Sequence, residues 1–590
     1  MLARRSGRVA ACDAVATRAE LLVLVAWGIA GLAIVGFGFL FRRAARVPAV
    51  DADDVLSSFW LGWCCLLLGL QVWHLLLPVD RRAQVACGLV AAIGLAIGGL
   101  GPWRRLVPRR PRHAVAFGLL AAMAVWLSNH ALGGARHGDT GAYFLPTVRW
   151  LVAYPIVPGL GNLHAHFALN QSYFLYVAAL EVGPFAGRSY HLANGLLLLA
   201  LCARMTLAVS RFVGRDAVAR PVDLFYALIL PAALPLGAGI FFTSPSPDPA
   251  VFALGVVTAG ELLGLLTGDP GRRDFQLRAL ALLAFTGWTV KLSFAGFAAA
   301  TLPIALVAWL WIARPNGARA MRSVGAVALI GVLAIGPWIV RNVVMSGRPL
   351  FPSALGELPV EWRVRTDVEG WLRHSAAVGG IGPIVRNPRW FLNYLRGQGW
   401  ESPDVLGPLV VGVAGAVVAG VRRLIRGRSS TGRALVVAVP AVASLLFCLV
   451  TSPVARYVGA SVWVLGASAI VASLGDMVLA PRTLRRAVVV VTVVALTTVM
   501  LRSVTDPLWL DATDFEARSP VAYHKRRLKT GLVVNVPRIS DACWDVPLPC
   551  TGYPNPALRL RRDGDLAAGF MIDPALQARY RYEPGRGFIK

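Results

Sequence analysis

The feature that most constrains this chain is a succession of apolar runs, each about as long as a bilayer core is thick. A helix rising 1.5 Å per residue needs about 20 mostly apolar residues to cross that core. Runs near 21–41, 57–79, 83–103, 113–132, 190–210, 222–242, 248–267, 277–293, 295–313, 323–340, 405–424, 434–451, 457–475 and 487–502 meet the requirement. They predict an all-α polytopic transmembrane protein with 13–14 membrane helices, the closely spaced eighth and ninth forming a hairpin or a broken pair. Composition agrees. Hydrophobic residues make up 56% and charged residues 15% of the chain, against roughly 25% charged in a soluble domain, and the mean hydropathy is +0.61. The first run follows Arg4, Arg5 and Arg8, exceeds a signal-peptide core in length and lacks a small-residue cleavage site, so it reads as a retained span.

The formal charge of +28 does not point to nucleic acid, because the arginines fall in short clusters between apolar runs and not on one basic face. Such clusters mark cytoplasmic loops. Arg104, Arg105, Arg109, Arg110 and Arg112 fill one loop, and Arg422, Arg423, Arg426, Arg428 and Arg433 another. Counting spans outward places Arg42/Arg43/Arg46, Arg211/Arg215/Arg220, Arg272/Arg273/Arg278, Arg314/Arg319/Arg322 and Arg482/Arg485/Arg486 on the same side. An even number of spans puts the arginine-bearing N-terminus outside with the C-terminus, against that rule. A re-entrant or miscounted span near the start would remove the conflict.

Three longer polar segments then face outward: 133–171, 343–404 and the tail 503–590. The chain divides into N-terminal helices (1–112), a transmembrane core carrying the first two outer loops (113–502), and a small extramembrane appendage (503–590). Five cysteines (Cys64, Cys65, Cys87, Cys202, Cys448) lie in apolar runs as small hydrophobes, whereas Cys543 and Cys550 sit in the polar tail and could form a disulfide there.

The first outer loop is the densest in chemistry. His137-Gly138-Asp139 follows directly on an outward helix, which holds Asp139 at the membrane–water boundary. A positioned carboxylate can take the proton from an attacking hydroxyl, so Asp139, with His137 beside it, is the candidate catalytic pair. The alternative role for Asp139 is a helix cap, with Thr140 and Gly141 shaping the turn. His164, His166 and Asn170 are spaced i, i+2, i+6, which does not match the i, i+4 spacing of a helical metal site. They read as hydrogen-bonding cavity residues, with a divalent ion shared with Asp139 left as an open alternative. Lys291 (GWTVKLSF), Arg341 and Arg456-Tyr457 (TSPVARY) end or begin spans on the same face, where cations suit a lipid phosphate. Each also reads as a snorkelling anchor. Asp248 (TSPSPDPAVF) starts a span there and either caps it or contacts a sugar.

These elements, in this order, resemble the GT-C superfamily of polyprenyl-phosphate-sugar-dependent glycosyltransferases: HGDTG after an outward helix, S-P-D opening a later span, T-V-K-L, the segment from Trp338 to Pro352, and a late P-x-x-R-Y. The chain also looks like a family of uncharacterised bacterial multipass proteins sharing the loop GLGNLH and a CWDxPLPC tail. The resemblance covers most of the chain from about residue 113. It implies an inverting transfer of a sugar from a lipid-linked donor to an envelope glycan, lipid or protein acceptor, on the outer face of a bacterial cytoplasmic membrane. Asp139 would be the base, Lys291 or Arg456 would lie near the phosphate, and no cofactor is assigned. The chain departs from the pattern in having no acid adjacent to Asp139 and about three spans before the expected first helix. Two other readings stand beside this one. An O-antigen polymerase or ligase would use loop arginines and histidine such as Arg363, Arg365, Arg373 and His374; a transporter would show inverted repeats and paired broken helices.

Overall fold

The computed structural model describes residues 2–104, 111–213, 220–368, 385–426, 431–479, 520–583 and 587–589, with Leu372, Arg486, Val490 and Val494. Thirteen of the fourteen apolar runs are helical: α1 Leu2–Ala45, α2 Ala52–Trp73, α3 Arg81–Gly98, α4 Pro111–Ala131, and, after two short helices α5 Leu145–Ala153 and α6 Tyr173–Ala179, α7 Tyr190–Val213. The series continues with α8 Pro221–Ala238, α9 Asp248–Thr267, α10 Arg273–Val290, α11 Ala295–Ala313 and α12 Gly317–Ser346, then a short α13 Pro388–Gly397, and finally α14 Pro403–Arg426, α15 Leu435–Thr451 and α16 Ser461–Leu479. Ten helices among the described residues are long and apolar enough to cross a membrane. The protein is thus a largely helical multipass membrane protein. The run 487–502 apart from Val490 and Val494, together with Arg105, Arg109, Arg110, Arg215, Arg373, His374, Arg428, Arg482 and Arg485, lies outside the described residues.

The ends of the helices sort into two sets. Polar contacts join Arg42 at the end of α1 to Asp54 at the start of α2, Arg211 at the end of α7 to Asp223 at the start of α8, and Arg319 at the start of α12 to Asp274 at the start of α10. At the opposite end, Glu20 in α1 meets Asn129 in α4, His74 just past α2 meets Arg341 late in α12, and Asp248 at the start of α9 meets Lys291 just past α10. We call these the arginine end and the site end. Helix α1 runs from the site end to the arginine end, so the chain starts on the side that carries the appendage. None of the first three spans is re-entrant. The conflict with Arg4, Arg5 and Arg8 stands.

The eighth and ninth runs form a hairpin. Lys291 leaves the helix in an extended conformation and one 3₁₀ turn (Leu292–Phe294) starts α11. The second run was expected at 57–79, but its helix begins earlier, because the Asp51 side chain accepts from the Asp54 N–H, and ends at Trp73 ahead of Pro78. Helices α1, α2 and α3 touch backbone to backbone. A Cβ at Gly36, Gly62 or Gly94 would collide with Ala91, Ile34 or Gly36 of the facing helix, the small-residue contact that membrane helices use when apolar burial gives no net drive to associate.

The segment 133–189 folds across the site end as a π-turn (Thr140–Phe144), α5, two 3₁₀ turns, α6 and a third 3₁₀ turn (Gly183–Phe185). The appendage is three antiparallel hairpins: β1 Tyr523–Arg527 with β2 Val533–Pro537, β3 Leu558–Leu560 with β4 Phe570–Ile572, and β5 Arg581–Glu583 with β6 Gly587–Ile589. The Cys543–Cys550 disulfide is formed. The Phe570 N–H donates to Pro158 O at 2.9 Å, and Arg561 pairs with Glu361 at 2.7 Å, so both outer loops hold the appendage.

Candidate functional site

Asp139 immediately precedes the π-turn, with φ −59° and ψ −21° and no side-chain capping bond. It is therefore not a helix cap. Its carboxylate lies 3.4 Å from Arg456 Nη2 and 3.8 Å from His137 Nδ1. A π-turn inserts an extra residue and re-aims the side chains before it, a distortion common at functional sites. This one is fixed by a 2.7 Å hydrogen bond between the hydroxyls of Thr140 and Ser244.

Ser244 belongs to the T-S-P-S-P-D loop that leads into α9. The loop has no repetitive backbone bonding, so one buried side chain supplies it: Asn194 Nδ2 donates to the carbonyls of Phe241, Ser244 and Ser246 at 3.0, 2.8 and 3.1 Å. Tyr173 in turn donates to Asn194 Oδ1 at 2.7 Å. The loop ends on Asp248, which accepts from Ser246 Oγ at 3.1 Å and forms an ion pair with Lys291.

Arg456 and Tyr457 join the two carboxylates. Arg456 donates to His137 Nε2 and to the Tyr457 hydroxyl, each at 3.0 Å. Lys291 Nζ lies 4.4 Å from the Tyr457 ring centre, a cation–π contact. Six residues singled out in the sequence, His137, Asp139, Asp248, Lys291, Arg456 and Tyr457, thus form one cluster drawn from four separate parts of the chain. The cluster is graded in exposure. Asp139 and Arg456 side chains are 31% exposed, Asp248 and Lys291 12%. Burial pushes the His137 imidazole below its usual pKa, Asp139 opposing and Arg456 reinforcing the shift, so it is neutral at pH 7. Burial also works against the Arg456 charge, but Tyr457, Asp248 and Asp139 outweigh it and raise its pKa.

The chain matches the family described as "Domain of unknown function (DUF8201)" over residues 21–463, about three quarters of its length. It belongs to that family. No curated protein and no solved structure matches the chain. All six clustered residues of this DUF8201 member lie within the matched region, and the appendage lies beyond it.

The other sequence candidates sit beside this cluster and not in it. Arg341 is 2% exposed and donates from Nε to Asn170 Oδ1 at 2.9 Å, with Nη1 2.6 Å from His74 Nδ1. Asn170 also exchanges hydrogen bonds with Trp338. This arrangement lines a cavity of about 20 Å³ that His166 also borders, room for little more than a water. His164 and His166 have ring centres 5.1 Å apart, and they line a second cavity of about 30 Å³ with Asn162, Tyr553 and Asn555, where the appendage closes over the GLGNLH loop. Desolvation lowers the His164 and His166 pKa values to about 4 and about 3. Among the described residues no group of three or more His, Cys, Asp or Glu side chains could hold a metal ion. Glu181 bonds its own loop through Ser189, and His191 faces the Ala131 carbonyl.

The residues that sequence reasoning missed are those that hold others in place: Asn194, Ser244, His74 and Trp544. The last was part of a quoted motif but had no assigned place. Its backbone N–H donates to Gly141 O at 2.9 Å, and its ring lies where a Cβ on Gly141 would stand. The disulfide-bonded turn thus lies on the π-turn that carries Asp139.

Proposed function

We propose that this protein is a GT-C-like glycosyltransferase, transferring a sugar from a polyprenyl-phosphate-linked donor to a cell-envelope acceptor. The observation that carries the reading is the joining of Asp139–His137 to Asp248–Lys291 through Arg456 and Tyr457 at one end of the helices. By the arginine-loop rule this end faces outward from a bacterial cytoplasmic membrane. In an inverting transfer the acceptor hydroxyl attacks the anomeric carbon, its proton passes to Asp139, and the sugar–phosphate C–O bond breaks. The electron pair leaves with the lipid phosphate, whose charge Arg456 and Lys291 offset. Arg456 sits 3.4 Å from Asp139, a loose contact. A donor phosphate taking that guanidinium would free Asp139 as base. Neutral His137 accepts from Arg456 and fixes its orientation.

The lipid-diphosphate polymerase or ligase reading draws less support, since Arg363 pairs with Glu357 and Arg365 with Asp367. The deciding experiment is Asp139→Asn, measured as sugar transfer from radiolabelled polyprenyl-phosphate donor in membranes and as surface glycan in cells. Loss of a general base predicts a fall of about 10²- to 10⁴-fold in rate. Undiminished transfer by a well-expressed variant would end the base assignment. Solute uptake that falls in its place would favour a transporter.

A further inference from the structure

Asp139 owes its place to the π-turn, because its own side chain is held only loosely: it caps nothing and lies 3.4 Å from Arg456. What fixes the turn therefore fixes the candidate base. On one side the Thr140 hydroxyl is bonded to Ser244 at 2.7 Å. On the other side the turn leaves a backbone carbonyl open. In an α-helix the Leu145 N–H would donate to Gly141 O, but here it donates to Thr140 O. Pro146, next in line for a π-type bond, has no N–H to give. Gly141 is buried, so its carbonyl needs a partner from elsewhere in the chain.

Trp544 of the appendage supplies that partner. Its N–H donates to Gly141 O at 2.9 Å, and its ring covers Gly141 so closely that a Cβ there would fall within it. Reaching this position strains the backbone, because Trp544 holds φ 46°, in the left-handed region that bulky residues avoid. Such a conformation persists only where the surroundings enforce it. Arg149 of α5 donates to Val546 O. Asn535 of β2 donates from Nδ2 to Pro547 O at 2.7 Å and from its backbone N–H to Pro549 O at 2.9 Å, and the Cys543–Cys550 disulfide closes the turn.

Attachment of the appendage does not call for this strained contact. Phe570 on the Pro158 carbonyl, Arg561 on Glu361 and Arg365 on the Tyr580 carbonyl already join it to the outer loops. The strained residue instead meets the turn two residues from Asp139. We propose that Trp544 is a positioning residue for the Asp139 base, so that the appendage, which lies beyond the matched family region, completes the site. Trp544 touches neither the carboxylate nor its proton; it acts by holding the Gly141 end of the turn while Ser244 holds the Thr140 side. The proposal rests on the transferase reading, in which Asp139 takes the acceptor's proton.

The test uses the full chain in nanodiscs, with transfer from a radiolabelled polyprenyl-phosphate sugar and amide hydrogen exchange over residues 139–147 read on the same preparations. Trp544→Gly keeps the N–H, adopts a positive φ without strain and removes the ring. Trp544→Phe keeps an aromatic face on Gly141. Glu361→Gln weakens the appendage's hold far from the turn and is the control for attachment alone. Trp544→Gly should lower kcat by about tenfold or more, since a base displaced by a fraction of an ångström loses its alignment. Its KM for the donor should stay within about twofold, because donor binding is not what the turn sets. Exchange over 139–147 should rise in step. Trp544→Phe should restore most of kcat, and Glu361→Gln should leave kcat and exchange at wild-type values. An unchanged kcat in Trp544→Gly, or an equal fall in Glu361→Gln, would overturn the proposal. A wild type that transfers no sugar would fail the transferase reading instead, and exchange would then decide: unchanged exchange over 139–147 in Trp544→Gly overturns the positioning role, and faster exchange confined there supports it. If Trp544→Gly does not fold, Gly141→Ala displaces the ring from the other side and is read in the same way.

Discussion

The Asp248–Lys291 pair can be tested for structural and chemical roles separately. Both side chains are 12% exposed, which places the pair nearer the buried limit, where removing one partner costs about 3–5 kcal/mol, than the surface limit of about 0–1 kcal/mol. Lys291 also gives up a ring contact with Tyr457 at 4.4 Å, worth about 0.5–1 kcal/mol. Lys291→Met should therefore destabilise by about 3 kcal/mol. Asp248→Asn retains the acceptor for Ser246 Oγ and should cost about 2 kcal/mol. The double variant leaves no unpaired charge, so it should recover about 2 kcal/mol of the sum as coupling energy. Equilibrium unfolding in mixed detergent gives the three values, and transfer from the lipid-linked donor is measured on the same preparations. The double variant should be stable and inactive, because neutralising the pair restores the fold but not a cation for the phosphate. Stability effects that add within about 0.5 kcal/mol would refute the coupling. A double variant that transfers sugar at the wild-type rate would refute the role of Lys291.

Two further outcomes follow. Cys543 and Cys550 close a loop of about eight residues, for which chain entropy gives about 2.5 kcal/mol; Cys550→Ser should loosen the appendage by about that much, seen as faster proteolysis between 520 and 583 while the membrane helices stay protected, and Gly141→Ala, whose Cβ meets the Trp544 ring, should do the same with the disulfide intact. His164 and His166 fold with pKa values near 4 and 3, below the free imidazole value of 6.5, so the unfolded chain binds protons that the native chain refuses. Stability should be flat above pH 7 and fall as pH drops from about 6.5 toward 4 and 3; a His164→Gln variant whose melting keeps the full acid slope would contradict this.

The helices were legible because span length and apolarity are local properties. Helix α9 lies where its run does, at 248–267, and α11 at 295–313. Boundaries shifted where a side chain intervened, as Asp51 did for α2. The cluster was half legible. Loop arginines set which span ends share a side, and that placed Asp139, Asp248, Lys291 and Arg456 together, but it could not separate them from Arg341, which shares the end and turns instead to Asn170 and His74. Depth within an end depends on packing between distant segments. Asn194 shows this best: nothing about an asparagine early in an apolar helix announces that it will hold a loop some 50 residues later. Asp53, Asp54 and Asp223 escaped attention for a related reason, since acids at the ends of spans acquire meaning only once their arginines are seen.

The two ends use the same residue types to opposite effect. At the arginine end Asp54 and Asp223 are 2% and 0% exposed, and each is contacted by two or three guanidiniums at distances down to 2.6 Å. Losing one of those contacts strands a carboxylate away from water, so these pairs are locked, and the network fixes how α1, α2, α7, α8 and α10 meet. At the site end Arg456 and Asp139 are both 31% exposed and 3.4 Å apart. Either can be rehydrated or taken by another ion at little cost, the regime in which an ion pair contributes about 0–1 kcal/mol. A phosphate arriving there competes with a weak contact, while the oriented donors of Arg456 remain in place through His137 and Tyr457. That combination of fixed orientation and an exchangeable charge is what a site needs in order to bind an anion and release a base in the same step.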